Sequence, residues 1–189
     1  MTYATITPPA AEPLTLSEVK AHLRLDGAEE DALLSSLIAA ARAHLEAETG
    51  LSLIERTLRL YRDDWPGEGV LTLCHGPVKA VSAVTVYDEA GDPASVPITG
   101  CRLDGEARPA RLWLPQKLAP GAALNGIEID FVAGFGASGV DVPDALKRAM
   151  LMHVALMFAF RGAVAAENQP AGVPDGYDRL IAPFRLRRL

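Results

Sequence analysis

The residues able to do chemistry are few and dispersed. His22, His44, His75 and His153 fall in separate segments, with no cysteine or acid beside them at metal-ligand spacing. His153 interrupts an otherwise apolar helical stripe and reads as a hydrogen-bonded core or interface histidine rather than a ligand or base. Cys74 and His75 are adjacent, but neighbours on a strand point to opposite faces, so they do not pair as nucleophile and base. Cys74 and Cys101 are the only thiols and are expected reduced and buried. Asp63-Asp64 and Glu29-Glu30-Asp31 are carboxylate runs of the kind a divalent cation or an acid-base pair would use. Adjacent helical positions diverge by about 100° and acids are common at turns, so both runs are expected to be solvated surface. Phosphate-cradling, dinucleotide-binding, zinc-protease and serine-elbow motifs are missing. No catalytic, metal or cofactor site is expected, and the chain is not expected to be an enzyme.

Charge narrows the classes further. The 18 basic and 24 acidic residues give a formal net charge of −6, whereas a reader of nucleic-acid sequence normally carries a basic face. Acids concentrate between Glu12 and Asp64, while the basic cluster is terminal, in Arg179, Arg185, Arg187 and Arg188. The ending Phe184, Arg185, Leu186, Arg187, Arg188 and Leu189 is either a frayed terminus or a tail that docks on an acidic partner. With 49% apolar and 22% charged residues the chain lies far from the composition of disorder. It shows neither a membrane-length apolar run nor a leader pattern, so neither a membrane location nor secretion is expected.

The elements that position these residues follow from periodicity. Residues 1–13 are rich in threonine and proline and predict an extended arm that lies on a neighbour. Thr15-Leu16-Ser17-Glu18 fits a capping box for a helix near 16–25, and Asp26-Gly27-Ala28-Glu29 repeats the signal for a second helix near 28–49. Leu34, Leu37, Ile38, Ala41 and Leu45 line that helix, and Gly50 stops it.

From 52 to 132 the period becomes two. Strands are expected at 53–61, 70–73, 78–87, 95–99, 111–114 and 127–131, forming one small antiparallel sheet; Val78, Val81, Val84 and Val86 do not alternate strictly, which reads either as a bulge or as burial on two sides. After a glycine-rich linker, Pro143 opens a helix to about Arg161. Its two apolar stripes, Leu146, Ala149, Met150, His153, Met157 and Phe160 beside Leu151, Val154, Ala155 and Phe158, are more than a small domain covers alone. Leu151, His153, Val154, Met157 and Phe158 are therefore the candidate subunit interface. A loop over 162–174 and a short helix near 175–182 complete the reading. The expected fold is α+β, with residues 1–51 and 133–189 as a helical core and 52–132 as an inserted β subdomain.

Three segments carry a family resemblance: TLSEVKAHLRLDGAEEDALLSSLIAAARAHLEAETGLSLI at 15–54, GPVKAVSAVTVYDEAGD at 76–92, and VPDALKRAMLMHVALMFAFRG at 142–162. The ending GYDRLIAPFRL at 176–186 adds to them. The chain resembles the phage head-tail connector, or adaptor, family, whose longer members carry a β insertion and include gene transfer agent adaptors. Phe158-Ala159-Phe160-Arg161 departs from the tyrosine and Asn-Arg-Glu ending often found there.

The resemblance implies a homo-oligomeric ring of about a dozen copies in the neck of a virion or phage-like particle, assembled in the bacterial cytoplasm. It implies a portal protein on one side, a tail-side connector or stopper on the other, and DNA passing through the channel without sequence-specific binding. An acidic wall suits that passage, because it repels phosphate. Two other classes stay open: a small-ligand-binding or accessory enzyme domain with its site in the β insertion, and a nucleic-acid-binding packaging factor.

Overall fold

Residues 2–160 and 172–185 are described in a computed structural model, and they divide into two compact units. The β unit comprises residues 1–10 and 55–135. Its strands are β1 (Thr2–Thr7), β2 (Arg56–Arg62), β3 (Val70–Leu73), β4 (Val78–Tyr87), β5 (Pro93–Ser95), β6 (Arg102–Asp104), β7 (Ala110–Trp113) and β8 (Ile127–Ala133). They form two antiparallel sheets rather than the one expected, in the orders β1-β2-β8-β4-β5 and β3-β7-β6.

Strict alternation in β2, β7 and β8 sends Leu58, Leu60, Leu112, Ile127, Ile129 and Phe131 inward. With Leu71, Leu73, Val84 and Val86 they make one core shared by both sheets. Two apolar faces that bury each other remove the need for a single sheet to shield its own inner side. Bulging, one of the two readings of β4, is present as register shifts between Val78 and Ala80 and between Val81 and Ala83 against β8.

Three expectations in this unit need correction. Residues 2–7 are not a free arm: β1 pairs antiparallel along β2, from Thr2 opposite Tyr61 to Thr7 opposite Thr57. Their β-branched residues suit the pleat as well as they suit an isolated extended chain. The strand expected at 95–99 lies earlier, at 93–95, because the Asp88 carboxylate accepts the N–H groups of Ala90 and Asp92 and turns the chain sooner. The three-residue β6 was not expected at all; two of its three positions, Arg102 and Asp104, are charged and solvent-facing.

The helical unit comprises residues 11–54 and 136–189. Helix α1 (Leu16–Leu23) starts at the expected capping box: Thr15 Oγ1 accepts the Glu18 N–H at 3.2 Å, and Glu18 Oε2 accepts the Thr15 N–H at 2.7 Å. These bonds hold the Glu18 carboxyl below its usual range. The second capping signal did not hold, since α2 (Asp31–Thr49) begins three residues later than expected, with Glu30 at its cap and no side-chain cap bond. Lys20 Nζ reaches across the turn to Asp31 Oδ1 at 2.7 Å and also to the Gly27 carbonyl, fixing the turn from the α1 side. Gly50 ends α2 with φ 68°, donating its N–H to the Glu46 carbonyl.

A 3-10 turn at Gly139–Asp141 leads into α3 (Asp144–Ala159), for which Pro143 is the cap rather than the first helical residue. Then come α4 (Tyr177–Ile181) and a 3-10 turn at Ala182–Phe184. Leu34, Ile38, Ala41 and Leu45 of α2 are buried with Leu146, Ala149, Met150 and Val154 of α3, and with Tyr177 and Ile181 of α4. Residues 162–171 of the expected loop, and Arg161, lie outside the described residues.

Candidate functional site

The candidate interface on α3 divides by burial. His153 is 8% exposed, Phe158 8% and Val154 fully buried, so the chain's own helices cover three of the five residues. Leu151 and Met157 are half-buried, as are Met152, Ala155 and Leu156, and Arg148 is exposed. Positions 148, 151, 152 and 155 recur at helical spacing and share one face, so an apolar strip of α3 does remain open to solvent.

His153 sits in an aromatic trio built by three helices. Its ring lies 4.9 Å from His44 of α2, edge to face, and 5.7 Å from Tyr177 of α4; His44 and Tyr177 are 6.0 Å apart. Among the described residues His153 Nδ1 and the Tyr177 hydroxyl have no hydrogen-bond partner. Burial, and secondarily the neighbouring His44, lower the His153 pKa; burial, with Glu48 adding, pushes the Tyr177 phenol up to about 12. Both groups are therefore held neutral, as an apolar setting requires. Tyr177 anchors α4 by filling this space. That role leaves no local signal, because a lone tyrosine after a loop has no periodic context.

Of the candidate tail, Phe184 and Arg185 are described and residues 186–189, Leu186, Arg187, Arg188 and Leu189, are not. Arg185 Nη2 donates to Glu48 Oε2 at 2.8 Å and to Asp178 Oδ1 at 2.7 Å. The first basic residue of the tail is thus tied back to α2 and α4.

The residues weighed for catalysis are not brought together. Asp64 Oδ1 accepts the Trp65 N–H and Asp63 Oδ1 accepts the Asn125 N–H, so this pair serves turns. Asp31 is engaged with Lys20. His75, at φ 66°, lies beyond the end of β3, and its ring stands 4.8 Å from Tyr3. The Cys74 N–H donates to the Tyr3 hydroxyl at 2.9 Å, and burial raises the Tyr3 pKa. Cys74 and Cys101 are free and half-buried, not fully buried as expected. Among the described residues no group of three histidines, cysteines or acids is placed to hold a metal ion. No described helix is long and apolar enough to cross a membrane.

Two clusters in the β unit were missed. On the outward face of the larger sheet, Arg59 forms a two-pronged pair with Asp130 at 2.6 and 2.8 Å and a further pair with Glu128 at 2.7 Å. Tyr87 donates to Glu128 at 3.0 Å, which raises its pKa. On the smaller sheet, the Arg102 guanidinium lies 5.7 Å from the Trp113 ring centroid, beside an open groove of about 370 Å³. Alternation alone marks these positions as outward, but only strand pairing shows which of them meet.

No curated protein matches the sequence. The family described as "Phage gp6-like head-tail connector protein" matches residues 13–92. Among solved structures, a chain in the neck of an empty GTA particle computed with C6 symmetry is 32% identical, with TM-score 0.83. A chain in the virion of a native gene transfer agent (GTA) particle is 33% identical, with TM-score 0.82. A chain in the neck of a native GTA particle computed with C12 symmetry is 32% identical, with TM-score 0.81. Each alignment covers 100% of this chain and 97% of the other. Identity at this level along the whole length, with TM-scores of 0.83 and 0.82, means that the chain belongs to the phage head-tail connector family.

Proposed function

We propose that this head-tail connector protein forms a ring of about 12 copies in the neck of a tailed-phage-like or gene transfer agent particle, joining capsid to tail and lining the DNA channel. The observation that carries this reading is the full-length likeness to chains that stand in GTA necks, one of them computed with C12 symmetry. The role is structural, with no reaction catalysed; the separation of the histidines, cysteines and acids described above supports it.

In this reading the open strip of α3, with Leu151, contacts the neighbouring copy, and Met157, half-buried on the His153 side of the helix, adds to that contact. His153, Val154 and Phe158 act from inside by holding α3 against α2 and α4. The ending from Phe184 to Leu189 docks on the portal protein, and a tail-side connector or stopper binds the opposite end of the ring. The particle neck is the site of function, after assembly in the bacterial cytoplasm. The net charge of −6 favours passage of DNA without adhesion.

The docking role is tested by deleting residues 186–189, which leaves Arg185 bound to Glu48 and Asp178. The truncated chain is expected to keep its circular dichroism spectrum and unfolding midpoint while failing to co-sediment with tail-bearing particles. Particles that attach tails normally with the truncated chain would refute docking by this segment.

A further inference from the structure

The three-stranded sheet presents an outward face whose composition the connector fold does not require. In register, Val70 stands opposite Trp113 and Trp113 opposite Arg102; one step along, Thr72 stands opposite Arg111 and Arg111 opposite Asp104. Residues directly across a sheet share a face, so these six side chains form a patch of two rows of three. The alternate residues Leu71, Ala110 and Leu112 are buried in the core, which directs the patch to solvent. Trp113 is 40% exposed, and Arg102, Asp104 and Arg111 are exposed. The groove noted beside Trp113 is lined by five of these residues together with Leu103.

An exposed tryptophan is expensive to leave in water, and with arginine it is the residue type most enriched among side chains that dominate binding energy. The Arg102 guanidinium already lies over the Trp113 ring, so the patch is organised before any partner arrives. Two arginines against one aspartate make it net positive on a chain of net charge −6. A head-to-tail ring contact needs two different complementary patches on the same molecule. The chain supplies exposed acids in excess, among them Asp26, Glu29, Asp88, Glu89 and Asp92.

Resting on the connector reading, we infer that this Trp113–Arg102–Arg111 face is an assembly surface that receives an acidic segment of an adjacent copy of the same chain. Trp113 supplies the apolar contact area and the arginines supply charge pairing and register.

The test replaces Trp113 with the photo-reactive p-benzoylphenylalanine in the full chain and irradiates assembled particles. The expected product is a covalent dimer in which mass spectrometry finds position 113 joined to an acid-bearing peptide of a second copy. Cross-links confined to another protein or to DNA would overturn the inference. In parallel, the Arg102→Glu, Arg111→Glu double variant is expected to lower incorporation into particles by about tenfold, whereas the Arg102→Lys, Arg111→Lys variant, which keeps the charge but loses the planar group over Trp113, falls between that and wild type. Both variants are checked for an unchanged unfolding midpoint, since all the altered side chains are exposed. Normal incorporation of the folded charge-reversed variant sinks the inference and leaves the connector reading intact. A wild-type chain that never enters particles sinks both.

Discussion

At the scale of single residues, His153 packs α3 against α2 and α4 through the rings of His44 and Tyr177. His153 is buried, unpartnered at Nδ1 among the described residues, and faced by His44, Tyr177 and α3's own apolar neighbours; Glu48, Asp178 and Arg185 lie around Tyr177. Because its folded pKa is lowered, the unfolded chain binds a proton more readily than the folded one. The stabilising preference for neutral His153 is therefore present above the unfolded histidine pKa of about 6.5 and is lost as pH falls through that value towards the folded one. Urea unfolding followed from pH 8 to pH 5 should show a midpoint that declines below neutrality, and His153→Phe should flatten the decline. A variant with the same pH slope as wild type would assign the effect to other groups.

Elements were legible where a local signal needs no partner. The Thr15 capping box, the Gly50 stop and the apolar stripe of α2 are written in consecutive residues, and the helices follow them. Thr15→Ala should cost roughly 1 kcal/mol, the usual worth of such a cap, measured as a shift in the urea midpoint at constant slope. Where two local signals competed, the nearer tertiary contact decided. Asp26-Gly27-Ala28-Glu29 reads as a cap, yet Lys20 binds the Gly27 carbonyl and Asp31, and the turn runs on to Glu30 before α2 begins. The threonine-rich start gave extension correctly, but whether an extended segment lies alone or joins a sheet depends on a free strand edge elsewhere; β2 supplies it.

For the whole molecule, charge is the property with the widest reach. In the proposed channel-lining role, a net charge of −6 predicts that the chain does not retard duplex DNA in a gel at low salt, where any electrostatic attraction is strongest. Strong retardation that weakens steeply with added salt would instead favour the packaging-factor reading. The sequence by itself determined most of the helix and strand segments, though not β1 as a strand or β6, together with the α+β class, the absence of catalytic motifs and the family resemblance, because each rests on local periodicity, turn chemistry or motif spacing. Only the tertiary structure decided that the strands form two sheets around one core, that His153 and Val154 face inward while Leu151 and Met157 stay half open, and that Arg102, Arg111 and Trp113 share one patch. Alternation tells which residues share a face of one strand; which strands lie side by side is set by the burial that all segments achieve together.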